Sequence, residues 1–423
     1  MKKVLFITYY WPPSGKASLQ WPLKIIKHLL AFDWSPSVLT VEEDSFTQKD
    51  ETFLTEIPDE VKVVRAKSYE PFNVYKKIIG KGKDEQLIAS ETISTQNKSL
   101  AHRLSVWIRM NLFIPDARVG WYFPAVKTGT KFLIEDKVNA IVTIGPPHTT
   151  HLVGKKLSSD FNIPHIPVFI DPWTDISYYK YLERSNIAVS IDRRLEKSVL
   201  ENASAIVFVT ETMKNDYVNK YPQIKDKSTI LYWGYSEEDF KSLPSDPLPN
   251  EGGVEVILHS GNIFDHQNPK KFWSTVKNEI DNGRNLRLVF IGTVSPGIKE
   301  SIKESGLERY TNFKGFLLYK QMLSEMVNAD YLLVCATEPR HVPGKLFEYL
   351  RAGKPIIAFG DGNEEVKKII NDANAGMMFN YGDNGKEFFN RSKSFKTNFD
   401  NVTKFERKEI TRYLSSLLNK TSI

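Results

Sequence analysis

The chain is predicted to be α/β, with two doubly wound parallel-sheet domains in series. Three observations carry this. Short β-prone apolar runs alternate with helical patterns in both halves of the chain. A stretch rich in Pro and polar residues at 235–253 separates the two alternating series and has linker composition. The length, 423 residues, suits two cores better than one.

In order, the first series has strand candidates at 4–8, 37–41, 140–144, 166–170 and 205–209, with a helix at 21–32 after the first strand. Between about 69 and 97 the pattern dissolves into a polar stretch with Lys, Gly and Gln, which reads as a long surface excursion. The second series has strand candidates at 254–259, 286–291, 312–316, 331–336 and 355–359. Beyond about 385 the chain turns polar and helical, and 407–418 is amphipathic. The expected domains are 1–240 and 241–395, followed by a helical tail at 396–423.

Composition narrows the class further. With 41% hydrophobic and 26% charged residues the chain is ordinary for an ordered globular protein. The single cysteine, Cys335, excludes an internal disulfide framework and a Cys-based metal cluster, and it reads as a buried thiol. The N-terminal apolar run is too short for a signal peptide and fits a first core strand. No stretch reaches the ~18 apolar residues of a membrane span, so a cytoplasmic protein is expected. A net charge of +6 fits anionic ligands or lipid surfaces and is too mild to imply nucleic acid.

The most informative segment is 337–358, which joins two apolar strands through a loop and a short helix. Pro343 and Gly344 start that helix and Gly353 ends it. Leu346, Phe347 and Leu350 recur at helical spacing and face the sheet. At the helix start the amides of Gly344, Lys345 and Leu346 are expected to lack intrahelical partners, and the helix dipole adds positive potential, which suits phosphate oxygens. Glu348, one turn further in, is placed to accept hydrogen bonds from two ribose hydroxyls.

The run PGKLFEYL at 343–350, followed by AGKP, resembles the donor-site signature of the retaining glycosyltransferase family 4, whose members have the two-domain GT-B fold. YYWPPSG at 9–15, FIPDAR at 113–118, GPPH at 145–148 and DPWTD at 171–175 extend the resemblance over nearly the whole chain. It implies two Rossmann-like domains facing a cleft, and a last helix that returns to the first domain. It also implies sugar transfer from a nucleotide-diphosphate sugar with retained configuration, without a bound metal or other cofactor. The implied acceptor is a hydroxyl of a glycan or lipid-linked saccharide at the inner face of a bacterial membrane.

Within that frame, Ser14, Gly15 and Lys16 are acceptor-loop candidates, with an ordinary turn as the other reading. His148 closes a strand and is expected to face the donor sugar, with His151 one turn along. Asp171 is a candidate for an acceptor hydroxyl and Trp173 for stacking on a sugar face; a capped turn is the competing account. Gly261 and Asn262 end the first strand of the second domain. Relatives place an Arg and a Lys shortly after that strand, whereas this chain has Asn262, His266 and Gln267. Arg340 also stands where relatives have the first of two glutamates. Arg340 and Lys345 are therefore expected to supply the missing cations.

The stretch 107–123 mixes aromatic, apolar and basic residues, and either rests in a lipid interface near Arg103, Arg109 and Arg118 or is buried in the first domain. Two rival functions stay open: a GT-B nucleotide-sugar epimerase, and a non-catalytic nucleotide- or glycan-binding subunit. A nicotinamide dehydrogenase is disfavoured because no Gly-x-Gly-x-x-Gly follows the first strand.

Overall fold

The computed structural model describes residues 1–46, 48–69, 100–176, 179, 182–243 and 253–422. Most of the expected surface excursion, and the part of the expected linker at 244–252, lie outside the described residues. The chain divides into two compact units, 1–232 with 410–423, and 233–409.

In the first unit the strands are β1 (Lys2–Thr8), β2 (Trp34–Val41), β3 (Lys62–Ala66), β4 (Ala140–Gly145), β5 (His165–Phe169), β6 (Ile206–Phe208) and β7 (Ser228–Ile230). They form one sheet in the order β3-β2-β1-β4-β5-β6-β7, with every pair parallel. β4 is buried at every position and β1 from Val4 onward, as expected for central parallel strands covered on both faces. The carboxyl ends of β1, β4 and β5 run directly into the motifs at 9–15, 145–148 and 171–175.

The second unit has β8 (Glu255–Ser260), β9 (Leu286–Ile291), β10 (Thr311–Gly315), β11 (Tyr331–Cys335), β12 (Ile356–Phe359) and β13 (Gly376–Phe379). Its sheet is also parallel throughout, in the order β10-β9-β8-β11-β12-β13. Phe272, Trp273, Phe290, Leu333, Phe359 and Phe388 anchor the main core on one of its faces. β3, β7 and β13, which the sequence pattern does not reveal, extend the two sheets at their edges.

The boundary falls at 232/233, earlier than composition suggests. The Tyr235 amide donates to the Phe405 carbonyl (3.0 Å), the Arg407 amide donates to the Tyr235 carbonyl (2.8 Å), and Arg351 pairs with Glu237. The helix Arg407–Thr421 begins in the second unit, and from residue 410 the chain groups with the first, where Lys2 Nζ donates to the Ser422 carbonyl (3.2 Å).

Candidate functional site

In the second unit, the carboxyl ends of β8, β9 and β11 meet the start of the helix Lys345–Ala352. Gly261 follows β8 at φ +90°, and a Cβ there would lie 3.0 Å from Lys345 Nζ. The chain bends here because glycine tolerates that backbone and leaves room for the ammonium. Lys345 Nζ is 3.1 Å from His259 Nε2. His259 Nδ1 lies 3.0 Å from the Leu333 carbonyl, an acceptor only, so Nδ1 carries the proton and Nε2 accepts from the ammonium. Burial, reinforced by the Lys345 charge, holds the His259 pKa well below its ordinary value, and burial brings that of Lys345 down to about 8. Lys345 is thus a cation fixed at the strand ends by a neutral imidazole.

Glu348 is buried, and its Oε1 accepts from the Tyr319 hydroxyl (2.7 Å). Burial pushes its carboxyl up, opposed by the charge of buried Arg407 and the Tyr319 hydrogen bond. Gly344 lies against an indole: a Cβ would come within 2.9 Å of Trp233 Cδ1 and Nε1. Tyr349 ties the helix to β8, since its hydroxyl accepts from the Ser260 amide (2.8 Å).

Two expectations about this turn change. The Leu346 amide donates to the Pro343 carbonyl (2.9 Å) and its side chain is in the core, so Leu346 offers no donor to a ligand. Arg340 is 3.5 Å from Glu338, so its charge is already matched within its own loop and Lys345 is the cation at the helix start. The Asn262 side chain accepts from the Thr293 amide (3.1 Å), which joins the loops after β8 and β9.

In the first unit the expected residues are built into the framework. The His148 ring stacks on Trp173 (4.9 Å, 4°), both are buried, and burial lowers the His148 pKa to about 3. His148 is therefore neutral, not a cation for developing charge. Trp173 is packed rather than open to a sugar, with its indole N–H donating to Asp192 (2.7 Å) and its amide to the Tyr217 hydroxyl (2.8 Å). Buried Glu196 accepts from the Thr174 amide and hydroxyl, from Tyr217 and Tyr221, and from Lys220, which also reaches Asp175. Asp171 sits half-buried just past β5.

His151 lies beside His148, and Thr143 Oγ1 bridges His151 Nδ1 and His165 Nε2 at 2.8 Å each. Asp116 of the FIPDAR motif accepts from the Thr149 amide and hydroxyl (2.9 Å each), which caps the helix after β4. Arg118 stacks over Tyr9 (5.2 Å), so its head packs on protein.

Gly15 donates its amide to the Gln48 carbonyl (2.9 Å), and the Ser14 hydroxyl accepts from the Lys16 amide (3.4 Å); Ser14 is buried and Lys16 exposed. The amides of this turn therefore serve its own closure. The stretch 107–123 divides: Met110 and Trp121 are buried, while Trp107, Leu112 and Phe123 are exposed. His259, Tyr319 and Trp233 were missed from sequence because each reaches the site from a distant segment. The one available signal was His259 in the strand-end position just before Ser260 and Gly261.

Residues 254–395 match the family model described as Glycosyl transferases group 1. No curated protein matches the chain by sequence. Among solved structures, HepE from Anabaena, in complex with UDP and glucose, superposes with a TM-score of 0.64 at 14% identity over 99% of this chain and 100% of that one. Sucrose-phosphate synthase from Thermosynechococcus elongatus gives 0.61 at 14% identity, covering 99% of each chain. The lipopolysaccharide outer core galactosyltransferase WaaB in its apo form gives 0.57 at 13% identity, again over 99% of each. The fold is thus GT-B, with residues 254–395 matching the group 1 glycosyl transferases.

Proposed function

We propose that the protein transfers a sugar from a UDP-sugar to a hydroxyl of a glycan or lipid-linked saccharide in the synthesis of bacterial surface polysaccharide. The observation that carries this reading is the fixed Lys345 ammonium beside Gly261, with the Glu348 carboxylate one helical turn further in. A diphosphate laid across the strand ends would meet Lys345 and the Gly344 and Lys345 amides, and Glu348 would accept from the ribose hydroxyls. UDP as the nucleotide carrier is supported by the HepE complexes with UDP and with UDP-glucose, and sugar transfer by the match to group 1 glycosyl transferases.

The chemistry follows from where charge develops. As the bond to the anomeric carbon breaks, negative charge grows on the departing diphosphate, and a cation already in place stabilises it without reorganisation. His259 holds that cation by accepting one of its protons. Asp171 is the first-unit residue proposed for the acceptor hydroxyl. Retention of configuration, independence from metal and a peripheral place at the inner membrane face belong to the same proposal. The exposed Leu104, Trp107, Leu112 and Phe123 supply apolar surface for the last of these.

The test is calorimetric titration of UDP and UDP-glucose into wild type and Lys345→Ala, followed by measurement of UDP release with and without a lipid-linked acceptor. Wild type should bind UDP, Lys345→Ala at least tenfold more weakly, and release should require the acceptor. UDP binding that ignores the substitution, or release that ignores the acceptor, would refute the proposal.

A further inference from the structure

A cavity of about 570 Å3 opens in the second unit at the other end of its sheet from Gly261. It lies against the first halves of β8, β9 and β10 and beneath the helix Tyr319–Asn328. Its floor is apolar, from Val256 and Leu288, and its rim is cationic.

Two guanidiniums converge on one ring at that rim. Arg287 lies 5.1 Å and Arg309 4.8 Å from the centre of the Tyr310 ring, and Arg309 Nη2 also donates to the Tyr310 hydroxyl (2.6 Å). Lys314, the third cation, is matched by Glu325. Among the described residues no carboxylate pairs with Arg287 or Arg309. Stacking on Tyr310 orients the planar forks and leaves N–H donors for an anion.

A second observation is independent of charge. Asn328, on the helix above the cavity, lines it with a side-chain amide. Such an amide can exchange a hydrogen bond with a hydroxyl of a ligand held in the cavity. The volume is ample for a six-carbon sugar carrying one phosphate.

We infer that this cavity is a second ligand site, which takes a small phosphate monoester bearing hydroxyls, with its phosphate on Arg287 and Arg309 and a hydroxyl on Asn328. The inference stands apart from the donor site, which uses none of these residues.

Calorimetry on the full chain tests it with glucose 1-phosphate and inorganic phosphate as probes. The proteins are wild type, Lys345→Ala, the double variant Arg287→Gln/Arg309→Gln, and Asn328→Ala, each checked for an unchanged melting transition. Expected is glucose 1-phosphate binding that is equal in wild type and Lys345→Ala, and at least tenfold weaker in the double variant. Asn328→Ala should weaken glucose 1-phosphate and leave inorganic phosphate unchanged. The assignment is overturned by no binding at millimolar probe, by binding that the double variant retains, or by binding that only Lys345→Ala abolishes. Equal affinity for the two probes overturns the hydroxyl contact. If the double variant melts early, Arg309→Gln alone, at an exposed position, serves as the charge test with a smaller expected loss.

Discussion

Acidification from pH 7.5 to 5.0 tests the buried histidine cluster of the first unit. His148 and His165 are held at about 3 by burial, and His151 is pushed well below its ordinary value by burial and by its two neighbours. In the unfolded chain each returns to about 6.5. Between those limits the unfolded state binds more protons than the folded one, so stability falls as pH falls. The stabilising difference is intact above about pH 6.5 and drains away toward about pH 3. At pH 5.0 His148 and His165 each cost about 2 kcal/mol, so the two together cost roughly 4 kcal/mol, and His151 adds to the loss in the same direction. Domains are stable by about 5–15 kcal/mol, so the first unit should lose a large share of its stability at a pH most proteins tolerate. Urea denaturation followed by tryptophan fluorescence reads this, because Trp173 stacks on His148. His165→Gln removes one titration while keeping a polar partner for Thr143. Its loss of stability between the two pH values should be smaller than that of wild type by about 2 kcal/mol, whatever its stability at pH 7.5. Equal losses in the two proteins, or imidazole resonances that titrate near pH 6.5 in the folded protein, would refute the reasoning.

Three further outcomes concern the second unit. Lys345, at about 8, binds a diphosphate as the cation, so UDP affinity should fall roughly tenfold between pH 7 and pH 9. Calorimetry across that range should show the dependence in wild type and its absence in Lys345→Arg. Tyr319→Phe removes the hydroxyl that Glu348 accepts from, and should weaken UDP-sugar binding by roughly tenfold with a small loss of stability, about 1 kcal/mol by urea melt. Gly344→Ala drives a methyl to 2.9 Å from the Trp233 ring, and should cost about 1–3 kcal/mol by the same measurement while blue- or red-shifting the tryptophan emission.

How much of this was legible from sequence depended on how far apart the cooperating residues lie. β1, β4, β8, β9, β11 and β12 are long enough and apolar enough to read as runs, because a parallel strand covered on both faces has no polar side. β3 begins with Lys62 and includes Arg65, β7 has three residues, and β13 starts on a glycine and is fully buried only there, so these edge strands carry no clear signal. The donor turn was legible because Gly344, Lys345 and Glu348 fall within one helical turn of each other. What holds them was not: His259 is 86 residues from Lys345 and Tyr319 is 29 from Glu348. The motif at 171–175 shows the converse. Its Asp, Trp and Thr are residue types that bind sugars, yet Asp192 and Glu196, one turn apart on the helix Asn186–Asn202, satisfy the Trp173 indole and the Thr174 backbone. Two acidic residues on one helix face usually read as solvated. Here both are buried, and the loop they hold is rigid for the same reason that its tryptophan is closed to ligand. A position therefore serves as a binding residue only when the partners it has elsewhere in the chain leave polar atoms to spare, as His259 leaves two N–H groups on Lys345 and Tyr319 leaves an oxygen on Glu348, and that condition is set by the fold.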